Sequence, residues 1–398
     1  MPPTPIPSPE PELSGRSPSL RILHLVGATG DHGGVLAVLR SIHEGSQARN
    51  WQNVVLVHEG YQEKRTPSLT YRYARHLVDE CPNPVKILFQ AAKAWPGLRS
   101  LLKREPFDVV HGHSRGSFGL IVFFAAILRR PVVFTIHTRA RRIGMYRWAA
   151  GLRHCYTVLI AEDMKEYYGI PADSPRVTVI PSACSQRFFE GALAIGQHRA
   201  NPAAKFRLIG IGSLVRWKNW DLLIQALDLL APKLQEIVEF HLWGPTLDDS
   251  DSVAFSAELH SSIGKLGLRN QVFLHGQTSD IHGALHDADW LVHPTTNEPA
   301  GVGIAEAIAM GVPALVSASG GPKYTVKPGV NGLHFRPGDA SDLAAKLADI
   351  LEGRVTVLPP AELRESVRSR SAAAMVDSLA RVYAACLADD GRPISENL

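Results

Sequence analysis

The 398-residue chain predicts an α/β architecture of two Rossmann-like domains facing a central cleft. Three observations carry that expectation. Short, continuously apolar strands alternate with helical runs, the pattern of a parallel sheet covered on both faces. The alternation ends near VIPS (179–182) and starts afresh at FRLIGIGSL (206–214). Between the two runs, EGALAIGQHRANPAAK (190–205) has the composition of a linker. The expected domains are 20–195 and 203–370, with a disordered tail at 1–19 and a C-terminal helix and tail at 371–398. Ligands of such sheets gather at the C-terminal ends of the strands.

RILHLVG (21–27) reads as a strand entering the glycine-bearing turn ATGDHGG, with VLAVLRSI as the helix behind it. NVVLVHEG (53–60), FDVVHGH (107–113), PVVFTIHT (131–138), YTVLIAE (156–162) and RVTVIPS (176–182) are further strands. SFGLIVFFAAILRR and MYRWAAGLRH are helical runs between them. In the second half WDLLIQALDLLAPKL reads as one helix, and EFHLWGP (239–245), QVFLHGQ (271–277), WLVHP (290–294) and PALVSAS (313–319) as strands. SAAAMVDSLARVYAACLA (371–388) is a last helix that could pack on either domain, its return to the first being the candidate arrangement.

Composition narrows the class. With 45% hydrophobic and 20% charged residues the chain is an ordinary globular enzyme in balance. MPPTPIPSPEPELSGRSPS lacks the apolar core of a signal peptide, and FGLIVFFAAIL (118–128) is too short to cross a bilayer. The four cysteines are widely spaced without a C-x-x-C pair, which argues against disulfides or a zinc site and fits a reducing, cytoplasmic compartment. Residues 1–200 carry 25 Lys and Arg against 15 Asp and Glu, whereas residues 201–398 carry 17 against 23. A basic first half points to an anionic partner: a phosphate-bearing substrate or an acidic membrane surface before nucleic acid.

The chemistry-bearing stretch is NEPAGVGIAEAIAMGVP (297–313). It enters a helix after a strand, and two glutamates, Glu298 and Glu306, frame its glycines. Glycine at a strand-to-helix junction lets backbone N–H groups approach an anion, to which the helix start adds partial positive charge. Carboxylates would repel a phosphate, so their partners are hydroxyls of a sugar or ribose to either side.

Gly33 and Gly34 form a second turn of this kind, although GATGDHGG misses G-x-G-x-x-G. It is either a phosphate turn or a plain one. Arg216 and Lys218 in GSLVRWKNWDLL are either two cations for a diphosphate, without any metal, or solvated charges before a helix. His111, His113 and His137 end neighbouring strands and suit hydrogen bonds to a sugar or phosphate better than a metal. Asp249 and Asp251 in LDDSD read as a helix cap and not as a metal pair.

In order and content the second half resembles the retaining glycosyltransferases of the GT-B fold, family 4. EPAGVGIAEAIAMGVP is similar to their E-x(7)-E element, and GSLVRWKN, HLWGP, VFLHGQ, ADWLVHPTTNEPAG, PALVSASGG and GVNGLHFRPGDASDLAAKL flank it in the family order. The first half resembles the family more loosely through GGV, FDVVHGHS, FTIHT and VIPS. The resemblance implies that Glu298 contacts the donor sugar and Glu306 the ribose, while the backbone at Gly301, Val302 and Gly303 approaches the diphosphate. Arg216 and Lys218 would bind that diphosphate too, with Gly33 and Gly34 closing from the other domain and His113 near the reacting sugar.

Three positions depart from the family pattern: Ser213 replaces the usual arginine, Asn219 the usual glycine after the lysine, and Ala300 a frequent phenylalanine. The function so implied is a metal-independent retaining transferase without a cofactor. It would move a sugar from a nucleotide-diphosphate sugar to a glycan, lipid-linked or small-molecule acceptor, in the making of bacterial-type surface polysaccharide or glycoconjugate. The basic, aromatic stretch RARRIGMYRWAAGLRH (139–154) makes an anionic membrane surface a candidate partner, placing the protein in the cytoplasm or on the inner membrane face. The alternatives are a nucleotide-sugar epimerase of the same architecture and a non-catalytic sugar-nucleotide-binding protein.

Overall fold

The computed structural model describes residues 19–30, 34–62, 69–78, 83–140, 142–191, 193 and 204–391. The expected tail, most of the linker, Cys81 and Gly33 lie outside these residues. Two all-parallel sheets form the frame. The first contains β1 (Leu20–Leu25), β2 (Trp51–His58), β3 (Thr70–Ala74), β4 (Val109–Gly112), β5 (Val132–Ile136), β6 (Cys155–Leu159) and β7 (Val177–Val179) in the order β3-β2-β1-β4-β5-β6-β7. The second contains β8 (Phe206–Ile211), β9 (Val238–Trp243), β10 (Val272–Gly276), β11 (Trp290–His293), β12 (Ala314–Ser317) and β13 (Gly332–Phe335) in the order β10-β9-β8-β11-β12-β13. Strand order reverses between β1 and β4 and again between β8 and β11. Those two switch points are where an open parallel sheet offers a crevice.

The central strands are buried on both faces: every residue of β5, β11 and β12 is buried, which is why each reads as a largely apolar run. The two edge strands without such runs, β3 (TYRYA) and β13 (GLHF), escaped the sequence reading. An edge strand with one open side needs no continuous apolar stretch, and β3 is at most half-buried.

The helix expected over 118–128 is only a short α-helix, Phe118–Val122, that widens into a π turn at Phe123–Ile127 with Ile127 exposed. WDLLIQALDLLAPKL is also two helices, Trp220–Asp228 and Pro232–Glu236. The break falls at Pro232, whose ring fits the first turn of a helix but not its interior.

The last helix, Ala372–Asp389, starts on a Ser371 cap and lies against the first sheet. Val376, Leu379 and Tyr383 pack with Leu36, Leu39 and Ile42 of the helix Gly34–Ser46. Just before it, Ser371 pairs with Cys184 and the Cys184 N–H donates to Arg370 O at 3.0 Å, so the chain crosses between the sheets beside the end of the first one.

Candidate active site

A cavity of about 700 Å³ lies between the two sheets. Its second-domain wall is the loop after β11 and the helix Val302–Ala309. Gly301 sits at φ +60°, a left-handed conformation that favours glycine, and a Cβ there would stand 2.9 Å from Ile304 Cδ1. The Gly301 N–H points to Glu298 Oε1 at 3.4 Å, whereas the N–H groups of Val302 and Gly303, both lining the cavity, meet no capping side chain and suit an anion. The loop itself is seated on Gly320 and Gly321. A Cβ on Gly321 would lie 2.1 Å from Pro299 O, and the Gly321 N–H donates to Glu298 O at 2.9 Å.

Glu298 is ion-paired with Lys218 Nζ, and both are nearly buried. His293 Nε2 lies 3.5 Å from the same carboxylate oxygen. Burial alone would raise the Glu298 pKa, but His293 and the Lys218 ammonium outweigh it and hold the carboxyl well below its usual range. Glu306, on the helix Val302–Ala309 of the same wall, has no such partner. Burial lifts it to about 7, with Arg187 opposing. The two glutamates thus share a cavity but differ in charge near neutral pH, one a fixed anion and the other half-protonated.

Lys218 owes its position to the tight turn Arg216–Lys218, closed by Asn219 at φ +55°. Asparagine tolerates that left-handed conformation, so the departure from glycine keeps the local geometry. Asn219 Nδ2 donates to Pro294 O at 3.3 Å, tying this turn to the loop that carries Glu298.

The first-domain wall is formed by Gly34, Val35, His137, Thr138 and Arg139. Arg139 is ion-paired with Asp163 and reaches across to Asn297 Oδ1 at 3.4 Å. Behind His137 a buried row of imidazoles crosses the sheet. His137 Nε2 is 3.1 Å from His113 Nδ1, and His113 Nε2 is 2.9 Å from His24 Nδ1. His24 Nε2 is 3.0 Å from Asn53 Oδ1, whose Nδ2 donates to Ser46 Oγ at 2.8 Å.

Ring nitrogens of His24, His111 and His113 all lie within 4.8 Å, which makes them a candidate metal cluster. His111, however, is committed to Thr135 Oγ1 at 2.7 Å and Tyr383 Oη at 2.8 Å. Its ring lies 4.0 Å from that of His113, tilted by 34°, and with both nitrogens of His111 so engaged the three imidazoles read as a hydrogen-bonded cluster.

The expected site residues divide. Gly34, Lys218, Glu298, Gly301, Val302, Gly303 and Glu306 all line the cavity. Arg216 does not. Its guanidinium turns outward onto Glu258, with two bonds of 2.7 Å, and onto Asp251 at 2.8 Å, so in this structure it does not face the place expected for the diphosphate. Asp249 caps the helix Ser250–Lys265, and the neighbouring Asp251 holds Arg216.

His113 is buried, and His137 stands between it and the cavity. Arg139, first of the basic stretch 139–154, lines the cavity, and residues the sequence reading missed are Trp217 and His293 on the cavity wall and Arg370 behind it. Arg370 is buried and donates to Ser182 O, Thr325 Oγ1 and Ala300 O at 3.0, 2.7 and 2.8 Å, joining both domains to the donor loop. Nothing local marks these three as anything other than surface charges or core.

Two parallel sheets meeting over a cleft, with a helix start and two carboxylates on one wall, define a protein of the GT-B architecture. Residues 196–372 match the family described as glycosyl transferases group 1, and residues 32–184 match Glycosyltransferase Family 4. Together the matches span most of the chain, and it belongs to this family of glycosyltransferases.

Among curated relatives, the 2-deoxystreptamine N-acetyl-D-glucosaminyltransferase of Niallia circulans is 23% identical over 66% of this chain and 71% of its own length. A D-inositol 3-phosphate glycosyltransferase of Geodermatophilus obscurus is 28% identical over 72% of this chain and 69% of its own. In fold, sucrose-phosphate synthase of Thermosynechococcus elongatus superposes with a TM-score of 0.74 at 19% identity, over 94% of this chain and 100% of that one. Anabaena HepE in complex with UDP-glucose gives 0.71 at 21% identity, over 91% and 98%.

Proposed function

We propose that the protein is a retaining, metal-independent glycosyltransferase that takes a sugar from a nucleotide-diphosphate sugar. The observation that carries this reading is the second-domain wall: an uncapped helix start at Val302 flanked by the Lys218–Glu298 pair and by Glu306. A diphosphate fits the helix start and the Lys218 ammonium, and these preorganised charges would stabilise it as it leaves. The two carboxylates then meet the hydroxyl-bearing ends, Glu298 the sugar and Glu306 the ribose.

Among the described residues, no carboxylate lines the first-domain wall of the cavity. That supports a route in which the departing diphosphate takes the acceptor's proton on the same face of the sugar. Relatives named for transfer to an aminocyclitol and an inositol phosphate, and a HepE complex with UDP-glucose, support a nucleotide-sugar donor and a polyol or saccharide acceptor.

The acceptor would lie against the first domain, as a glycan, a lipid-linked sugar or a small molecule of surface polysaccharide or glycoconjugate synthesis. Ile143 and Trp148 are exposed on the helix Ile143–Ala150 beside Arg142 and Arg147, which supports docking on an anionic membrane face. No helix among the described residues is long and apolar enough to cross a membrane. Sedimentation with anionic vesicles at low salt tests this part, and absence of binding counts against it.

The central test is a screen of UDP-, GDP- and ADP-sugars in EDTA by mass spectrometry, with Glu306→Ala as control. Release of one nucleoside diphosphate and free sugar, lost in the variant, is the expected result. An isomerised nucleotide sugar would instead identify an epimerase, and binding without turnover a non-catalytic protein.

A further inference from the structure

A second cavity, of about 570 Å³, opens at the edge of the first sheet and shares no residue with the cleft. One wall is the edge strand β3, and the other is the flank of the helix Pro84–Arg104. Arg72 stands opposite Leu56 in the strand register and so faces the side this helix covers, where Leu56 shares a core with Leu98 and Leu101.

The lining is cationic: Arg72, Arg75, Lys93 and Arg104 meet one carboxylate, Glu105. That carboxylate is already engaged. Arg72 Nε and Nη2 donate to its two oxygens at 2.8 and 3.0 Å and hold it below the usual carboxylate range, with Arg21 a further 3.7 Å away. Arg75 meets Glu59 at 3.4 Å, with both side chains exposed. Lys93 rests over the Phe89 ring at 4.4 Å, and neither it nor Arg104 forms an ion pair among the described residues.

The helix is not tuned for its own stability. It carries Lys86, Lys93, Arg99, Lys103 and Arg104 with no Asp or Glu, and Arg99 and Lys103 stand four apart as a repulsive pair. Lys103 and Arg104 suit the negative end of the helix dipole, but Lys86 lies at its positive end and Lys93 in its middle. Pro96 removes a hydrogen bond from the helix interior, and Gly97 follows it. A Cβ at Gly97 would meet nothing within 4 Å, so packing does not demand glycine there, although glycine weakens a helix interior. Gly97 lines the cavity one turn after Lys93 and two turns before Arg104, on the same helix face. Local rules broken on the wall of a cavity mark a surface kept for a ligand.

We propose that this groove is an anion-binding site, separate from the cleft, for a ligand bearing a diphosphate or several phosphates. Arg75, Lys93 and Arg104 supply its countercharge, the arginine forks matching phosphate oxygens, and Gly97 leaves it room. The inference stands apart from the glycosyltransferase reading, since none of these residues lines the cleft. The phosphates belong either to a soluble molecule or to a lipid headgroup, and the test separates the two.

Calorimetric titration of the full chain with inorganic pyrophosphate, at low salt and in EDTA, is that test. Two sites are expected, one lost in Lys218→Met and the other in Gly97→Leu. Leucine carries no charge and forms helix better than glycine, so a Gly97→Leu protein that melts no lower than the wild type has lost the site through lost room alone. Lys93→Gln combined with Arg104→Gln should weaken the same site about tenfold. If Gly97→Leu also loses binding to phosphatidylglycerol vesicles at the same ionic strength, the phosphates are a lipid headgroup's. If vesicle binding is unchanged, they are a soluble ligand's. A single site that disappears in Lys218→Met overturns the inference, as does a second site whose affinity is unchanged in Gly97→Leu or in the doubly substituted protein.

Discussion

The two walls of the cleft are built on opposite principles. The second-domain wall is charged and local: Glu298, Gly301 and Glu306 come from one stretch of chain, and Lys218 reaches them from the turn after β8. The first-domain wall, apart from the Arg139–Asp163 pair, is uncharged and assembled from afar, His137 being backed by imidazoles from positions 113 and 24 with Asn53 behind them. On the proposed function the difference follows from what each wall would meet. A diphosphate of fixed charge calls for a preorganised cation and N–H groups, and their buried counter-charges must be paired close by. An uncharged hydroxyl calls only for neutral hydrogen-bonding groups, which such a row supplies without burying a charge.

Breaking the charged wall should have the largest effect. Lys218→Met leaves the Glu298 carboxylate buried without its partner. A fall in kcat of about 10²–10³ is expected, together with a loss of about 3 kcal/mol in denaturant unfolding. If Glu298→Gln added to Lys218→Met costs as much again, the two do not act as a pair.

Next comes the seat of the donor loop. A Cβ at Gly321, 2.1 Å from Pro299 O, forces the loop to move. Gly321→Ala should lower kcat/KM roughly tenfold to a hundredfold, in line with misplacement of catalytic groups by about an ångström. A crystal structure of the variant with an unmoved loop and full activity would refute this account of the loop.

Glu306 sharpens the contrast through pH. Its carboxyl is held at about 7 by burial, above the ordinary 4.5 of the unfolded chain. The protonated form therefore stabilises the fold below about 4.5, and that contribution is lost as pH rises through 7. Glu306→Gln should gain on the wild type by about 1–2 kcal/mol between pH 5 and pH 8.5 in urea unfolding, solvent on its cleft side reducing the full effect. Nucleoside diphosphate binding by the wild type should strengthen over the same range, since a carboxylate accepts ribose hydroxyls better than a carboxylic acid. A flat titration curve would remove Glu306 from the ribose.

Smallest is Arg216→Ala. Exposed and held by Asp251 and Glu258, Arg216 should leave the donor KM within about threefold. A large rise would mean that Arg216 leaves those carboxylates when the donor binds.

Elements were legible where a single local rule decided them. β1, β2, β4 to β6, β8 and β11 show as apolar runs because they are covered on both faces, whereas β3, at an edge, carries no such signal. The glycines and glutamates of 297–306 were legible for a related reason: all of them lie in one short stretch at a strand-to-helix junction. The outward turn of Arg216 was not legible, because Asp251 and Glu258, which hold it, come from a later helix.

By itself, then, the amino-acid order determined the alternation of strands and helices, the restart that makes two domains, and the glycine-bearing helix start with its flanking carboxylates. All of these are set by contacts within a few residues. Tertiary structure alone decided which histidine faces the cleft, which cation turns away, and that Arg370 ties Ser182 and Thr325 to the loop at Ala300. Those outcomes depend on hydrogen-bond partners tens to hundreds of residues distant, and a side chain's local sequence carries no record of them.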